Sequence, residues 1–181
     1  MKGIVFTEFL DMVEEKFSMD MVDTIINSSN LASNGVYTAV GTYDYSEIVQ
    51  LSVNLSKESN IPLDQLLKIF GEHLLLEVFS KKFPDYFKSE NDVFSFLEKV
   101  DSYIHQEVLK LYPDAELPKF STHLIDDNEL HMTYESNRSF ADLADGLING
   151  AIQYYKENIT KERENLETPV GQKVLFKLVR H

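Results

Sequence analysis

Tyr134, Ser136 and Arg138 stand two residues apart in the run Tyr134-Glu135-Ser136-Asn137-Arg138. In an extended strand, residues at this spacing share one face. Phe120, Thr122, Leu124, Leu130 and Met132 are expected on that same face, so the trio should point inward. A buried guanidinium needs an anion, and its planar fork matches a carboxylate through two parallel hydrogen bonds. The two hydroxyls add donors for the same anion or for a neighbour. The chemistry on offer is the capture of a ligand that carries carboxylates. Taken alone, the pattern is better explained by a strand end with a structural tyrosine and an arginine paired to a local Asp or Glu.

His105 is the second candidate. Val93, Leu97, Val100, Ile104 and Val108 recur at helical spacing, and His105 lies beside that stripe, one turn after Asp101 and one turn before Leu109. A neutral imidazole at the edge of a buried face can reach an iron. A half-buried histidine bonded to a carbonyl or a water is the commoner outcome, and Asp101 and His105 also have the spacing of a surface helix pair. His123 and His131 should face each other across a hairpin, but on its outer side and without an obvious third ligand. His73 and His181 have no visible partner set.

Other chemistries find little support. The chain has no nucleophile elbow, phosphate loop, dinucleotide glycine fingerprint or His-Glu-x-x-His helix, so it is expected not to be an enzyme. It has no cysteine, which excludes disulfides, iron–sulfur clusters, thiolate ligation and covalent haem attachment. Its formal net charge of −13 repels phosphate backbones and anionic membrane surfaces. No nucleic acid or membrane partner is therefore expected. Glu8 and Asp11 interrupt any apolar signal core near the start, and no run is long enough to span a bilayer, so a cytoplasmic address is expected.

The elements that must position these residues follow from periodicity. With 181 residues, 43% of them apolar and 12% aromatic, the chain can bury one sizeable core or two closely packed lobes. Helices are predicted over about 7–17, over a short stretch carrying Met21, Val22, Ile25 and Ile26, and over about 46–57, 63–79 and 92–111. Val36 to Val40 reads as a short extended piece. Pro62 and Pro113 bound the neighbouring helices. After Pro118 the pattern alternates, and Asp126-Asp127-Asn128 divides two strands into a β-hairpin. Ser139 is placed to cap a helix reaching about Asn158, with Asp142 as a weak capping-box partner. Two more strands are predicted near 159–165 and 173–179. The fold class is α+β: a helical N-terminal lobe followed by a C-terminal lobe of helices and antiparallel sheet.

Together these segments resemble the H-NOX family, the haem nitric-oxide/oxygen-binding domains related to the sensor domain of soluble guanylate cyclase. Met1-Lys2-Gly3-Ile4-Val5 through Asp11-Met12-Val13 looks like the family's opening. Ile104-His105-Gln106-Glu107-Val108-Leu109-Lys110-Leu111-Tyr112-Pro113 looks like its ligand-bearing segment. Tyr134-x-Ser136-x-Arg138 matches its propionate motif, and Gly146-Leu147-Ile148-Asn149-Gly150 follows at the expected place. The likeness runs along nearly the whole chain.

The resemblance implies one b-type haem between a distal helical lobe, about 1–62, and a proximal α+β lobe, about 63–181. His105 would be the sole protein ligand to iron, and Tyr134, Ser136 and Arg138 would hold the propionates. Pro118 matches the proline that presses on the haem. On the distal side it points to Val5, Phe9, Leu74 and Leu143. Oxygen-binding relatives carry a tyrosine where Leu143 stands, and a polar distal group is what stabilises bound oxygen. The pocket should therefore favour nitric oxide and carbon monoxide. By analogy with bacterial stand-alone members, the output would pass to a histidine kinase or a cyclic-di-GMP enzyme. Two other readings stay open: an oxygen-binding haem sensor, and an interaction module that uses no haem.

Overall fold

The computed structural model describes residues Met1–His181. The backbone divides into two compact units, Met1–Phe70 and Gly71–His181, with the division inside a helix rather than at Pro62.

In the first unit, α1 (Gly3–Lys16), α2 (Met19–Asn27) and α3 (Tyr45–Ser59) precede α4 (Leu63–His73). On α1, Phe6, Phe9, Met12 and Val13 are all at most 1% exposed, while Leu10 is half-buried. No side chain caps α1. Its orphan amides are met by loop carbonyls instead, Gly3 N–H donating to Gly41 at 2.8 Å and Ile4 N–H to Ala39 at 3.0 Å. The helix starts four residues earlier than the predicted 7, because its first amides are met by residues far along the chain. A Cβ on Gly3 would fall 1.9 Å from the Thr38 carbonyl oxygen, so only glycine permits that approach. Ser18 and Asp44 cap α2 and α3 by accepting from the Met21 and Ser46 amides. Asn60, left-handed at φ 56°, ends α3 ahead of Pro62. Of the residues 36–40 expected to be extended, 36–38 have no regular structure and 39–40 form a turn. The only pairing there is an isolated bridge between Lys2 and Thr42.

In the second unit, which takes in the last turn of α4, a π-helical stretch covers Leu74–Phe79. Short helices follow: α5 (Ser80–Lys82), α6 (Pro84–Ser89) and α7 (Val93–Glu98). A second π-turn, Val100–Ile104, runs into α8 (His105–Leu111). The long helices predicted over 63–79 and 92–111 are thus each broken by a change of register. Then come β1 (Lys119–Asp126), β2 (Glu129–Ser136), α9 (Ala141–Tyr155), β3 (Ile159–Leu166) and β4 (Gln172–Arg180). The four strands form one antiparallel sheet in the order β1-β2-β4-β3.

Leu130, Met132 and Tyr134 lie opposite Leu178, Phe176 and Val174, and all six are at most 2% exposed. They form one core cluster with Ala141, Ala144, Ile148 and Ala151 of α9 and with Val93, Phe94, Phe96 and Leu97 of α7. Leu124 departs from the inward face assigned to it. It is 42% exposed on the edge strand, beside the irregularity between Leu124 and Asp126. Ser139 does not cap α9. The helix starts at Ala141, whose amide donates to Gln172 Oε1 at 3.1 Å, and Asp142 pairs with Arg163 instead of closing a capping box. No helix is long and apolar enough to cross a membrane.

Candidate functional site

The π-turn sets His105 at the first position of α8. Its amide reaches back five residues to the Val100 carbonyl. The imidazole is mostly buried, with 14% of the side chain exposed. Its Nδ1 lies 3.1 Å from Asp101 Oδ1, and no further protein group bonds to the ring. Burial lowers the histidine's proton affinity below its ordinary value, and the Asp101 carboxylate opposes this only in part. Nδ1 faces a carboxylate, and with the proton held there Nε2 presents its lone pair. That is the form in which histidine binds a metal.

Tyr134 and Ser136 belong to β2, but the strand ends at Ser136 and Arg138 lies in the turn beyond it. The expected single extended face therefore does not reach Arg138. The turn gathers the trio another way: Tyr134 OH donates to the Arg138 carbonyl at 3.1 Å, and Arg138 N–H donates to Ser136 Oγ at 3.1 Å. Burial raises the Tyr134 hydroxyl above its ordinary range, so it stays a neutral donor. The Arg138 guanidinium pairs with the carboxylate of Glu116, a residue 77% exposed in the loop before β1. The local acid that the bland reading of this arginine required is therefore present. The same pair shows that a carboxylate reaches the fork from the solvent side.

Phe120 joins the two groups. Its ring lies 5.7 Å from that of His105 and 5.6 Å from that of Tyr134. Pro118 is half-buried just ahead of β1. Leu74, 4% exposed, opens the first π-helical stretch, and Leu143 is half-buried on α9. The turn just before Leu74 touches α9: a Cβ on Gly71 would fall 2.3 Å from the Leu143 carbonyl oxygen. Val5 and Phe9 share α1 in the first unit, where Phe9 packs edge-on against Phe70 at 5.1 Å.

Sequence reasoning missed two groups. Glu116 sent no signal, since it is one acid among many. Asp101 was visible at its helical spacing, but its second bond, accepted from Phe120 N–H at 3.2 Å, depends on how β1 folds back. His123 and His131 are paired in register as foreseen. His131 Nε2 lies 2.7 Å from Glu129 Oε1, and no three His, Asp or Glu side chains are grouped to hold a metal ion.

A mostly buried imidazole with Nε2 unbonded, linked through Phe120 and Tyr134 to an arginine that pairs with a carboxylate, suits an iron porphyrin bearing carboxylates. The comparisons with known proteins agree. The Haem-NO-binding family model matches residues 2–163. The unliganded ferrous H-NOX protein from K. algicida is 39% identical, with a TM-score of 0.92 over 100% of this chain and 97% of that one. The H-NOX from Shewanella woodyi, solved in its Fe(II)CO state, is 40% identical, with a TM-score of 0.83 over 100% and 95%. An H-NOX protein from S. oneidensis in the Fe(II)NO state is 25% identical, with a TM-score of 0.87 over 100% of both chains. No curated protein matches by sequence. The fold and the family model define a haem-binding gas-sensor family, whose domains are sensors rather than catalysts. The chain belongs to the Haem-NO-binding, or H-NOX, family.

Proposed function

We propose that this chain is a haem-based nitric-oxide sensor, in which His105 is the axial ligand of a b-type haem and a separate protein reads the outcome. The bound haem supplies a ferrous iron that coordinates small gases. His105 would hold it through Nε2, while Asp101 keeps the Nδ1 proton directed away. Tyr134, Ser136 and Arg138 would take the propionates, with the guanidinium exchanging Glu116 for a ligand carboxylate. Pro118 would press on the porphyrin from the head of β1. Val5, Phe9, Leu74 and Leu143, assigned to the distal side by resemblance, contribute only hydrocarbon. Bound oxygen is stabilised by a hydrogen-bond donor, and these four side chains have none. The assignment therefore favours nitric oxide and carbon monoxide.

His105 opens α8, so any change in the pull on its ring acts directly on that helix. A shift of α8 is the proposed output, read by a histidine kinase or a cyclic-di-GMP enzyme. The observation that supports this reading best is the setting of His105: a mostly buried ring whose one hydrogen bond is made through Nδ1 to Asp101. His105→Gly should lose haem on purification and regain it when imidazole is added. A variant that keeps an unchanged ferrous spectrum in plain buffer rules His105 out as the ligand.

A further inference from the structure

Asp101 stands one turn before His105, inside the π-turn Val100–Ile104. One oxygen, Oδ1, accepts both the imidazole Nδ1–H at 3.1 Å and the Phe120 N–H at 3.2 Å. The carboxylate therefore joins the ring of His105 to the backbone of β1, two residues after Pro118. An ordinary Asp–His pair on a helix surface would involve only the two side chains. Here the ring is nearly buried while the carboxylate is 46% exposed, and the backbone donor comes from a different element. A carboxylate behind an imidazole fixes its tautomer and makes the opposite nitrogen a stronger ligand.

We propose that Asp101 is the positioning residue of this site: it orients His105 with Nε2 free, strengthens that nitrogen as a ligand, and ties the ring to the head of β1. The proposal rests on His105 being the iron ligand. It makes the ligand's strength and the seating of β1 two readings of one carboxylate. Asp101 is what the two share: removing its carboxylate releases the ring of His105 and the Phe120 amide together.

The test uses the full-length haem-loaded protein and two variants, each read two ways. One reading is the iron–histidine stretching frequency of the ferrous protein by resonance Raman. The other is hydrogen exchange at the Phe120 amide. In Asp101→Ala both should change together, the stretch falling and exchange quickening by about two- to tenfold, the worth of one net hydrogen bond. In Asp101→Asn the amide oxygen still accepts from Phe120, so exchange should stay near wild type. The stretch should still fall, because a neutral acceptor draws less on the imidazole. That split separates positioning from a general loss of structure, which would move both readings in both variants. If Asp101→Ala does not retain haem, Asp101→Asn decides alone. An unchanged stretch in Asp101→Asn, or unchanged Phe120 exchange in Asp101→Ala, overturns the proposal. A wild-type protein with no iron–histidine band overturns the His105 assignment instead, and Phe120 exchange in the ligand-free variants then judges the tie to β1 separately.

Discussion

Arg138 shows how much a single residue in this chain depends on its surroundings. Its guanidinium, 18% exposed, faces Glu116, which is 77% exposed. A wet carboxylate of this kind contributes little to stability, so it yields readily to a ligand carboxylate. Arg138→Ala should therefore weaken haem retention by about 1.5–3 kcal/mol, the scale of one charge-assisted bond, seen as a faster haem off-rate. A wild-type off-rate would mean that the arginine serves only Glu116. The three residue types and their spacing were legible in the sequence, because carboxylate chemistry leaves a recognisable set of donors. Their arrangement was not. It depends on where β2 ends, and Tyr134 meets Arg138 through a backbone carbonyl that no side-chain pattern encodes.

The elements divide in the same way. Helices with a strong apolar stripe and strands with clean alternation were legible, and β3 and β4 fall within a residue or two of their predicted limits. The two π-turns were not, because an i to i+5 bond barely alters the apolar spacing that reveals a helix. Caps supplied from a distance were equally hidden: Gln172 caps α9, and loop carbonyls cap α1. Gly3 marks that second device. Gly3→Ala would drive a methyl into the Thr38 carbonyl and should destabilise the first unit by about 1–3 kcal/mol, the usual cost of overpacking, measurable by denaturant titration.

Asp92 caps α7 in the local way, accepting from the Phe94 and Ser95 amides at 3.0 and 3.1 Å and from Arg180 at 3.0 Å. Burial works against its charge, yet the Ser95 amide and Arg180 together hold its carboxyl below the ordinary value. Since the folded state binds the proton less readily than the unfolded chain, this stabilisation is complete above the usual carboxylate range. It is lost as pH falls through the lowered folded value. Asp92→Asn should flatten that part of the acid-unfolding curve; an unaltered acid limb would show that the cap carries no such linkage.

At the scale of the whole molecule, α+β architecture and family membership were both legible, and the family model and the solved relatives agree with them. The boundary between units was less so. Pro62 separates α3 from α4, whereas the compact units part at Phe70 and Gly71, inside α4. The reason is physical: proline stops the preceding helix but is well tolerated at the start of the next, so it marks a turn and not a division of cores.

The central claim is that this chain holds a haem on His105 and senses nitric oxide without retaining oxygen. The most direct test is the absorption spectrum of the reduced, haem-loaded protein, taken first in air-saturated buffer and then with nitric oxide. The account predicts that no oxygen complex persists in air and that the spectrum changes at once when nitric oxide is added. A stable oxygen complex at room temperature, or a spectrum indifferent to nitric oxide, would contradict it.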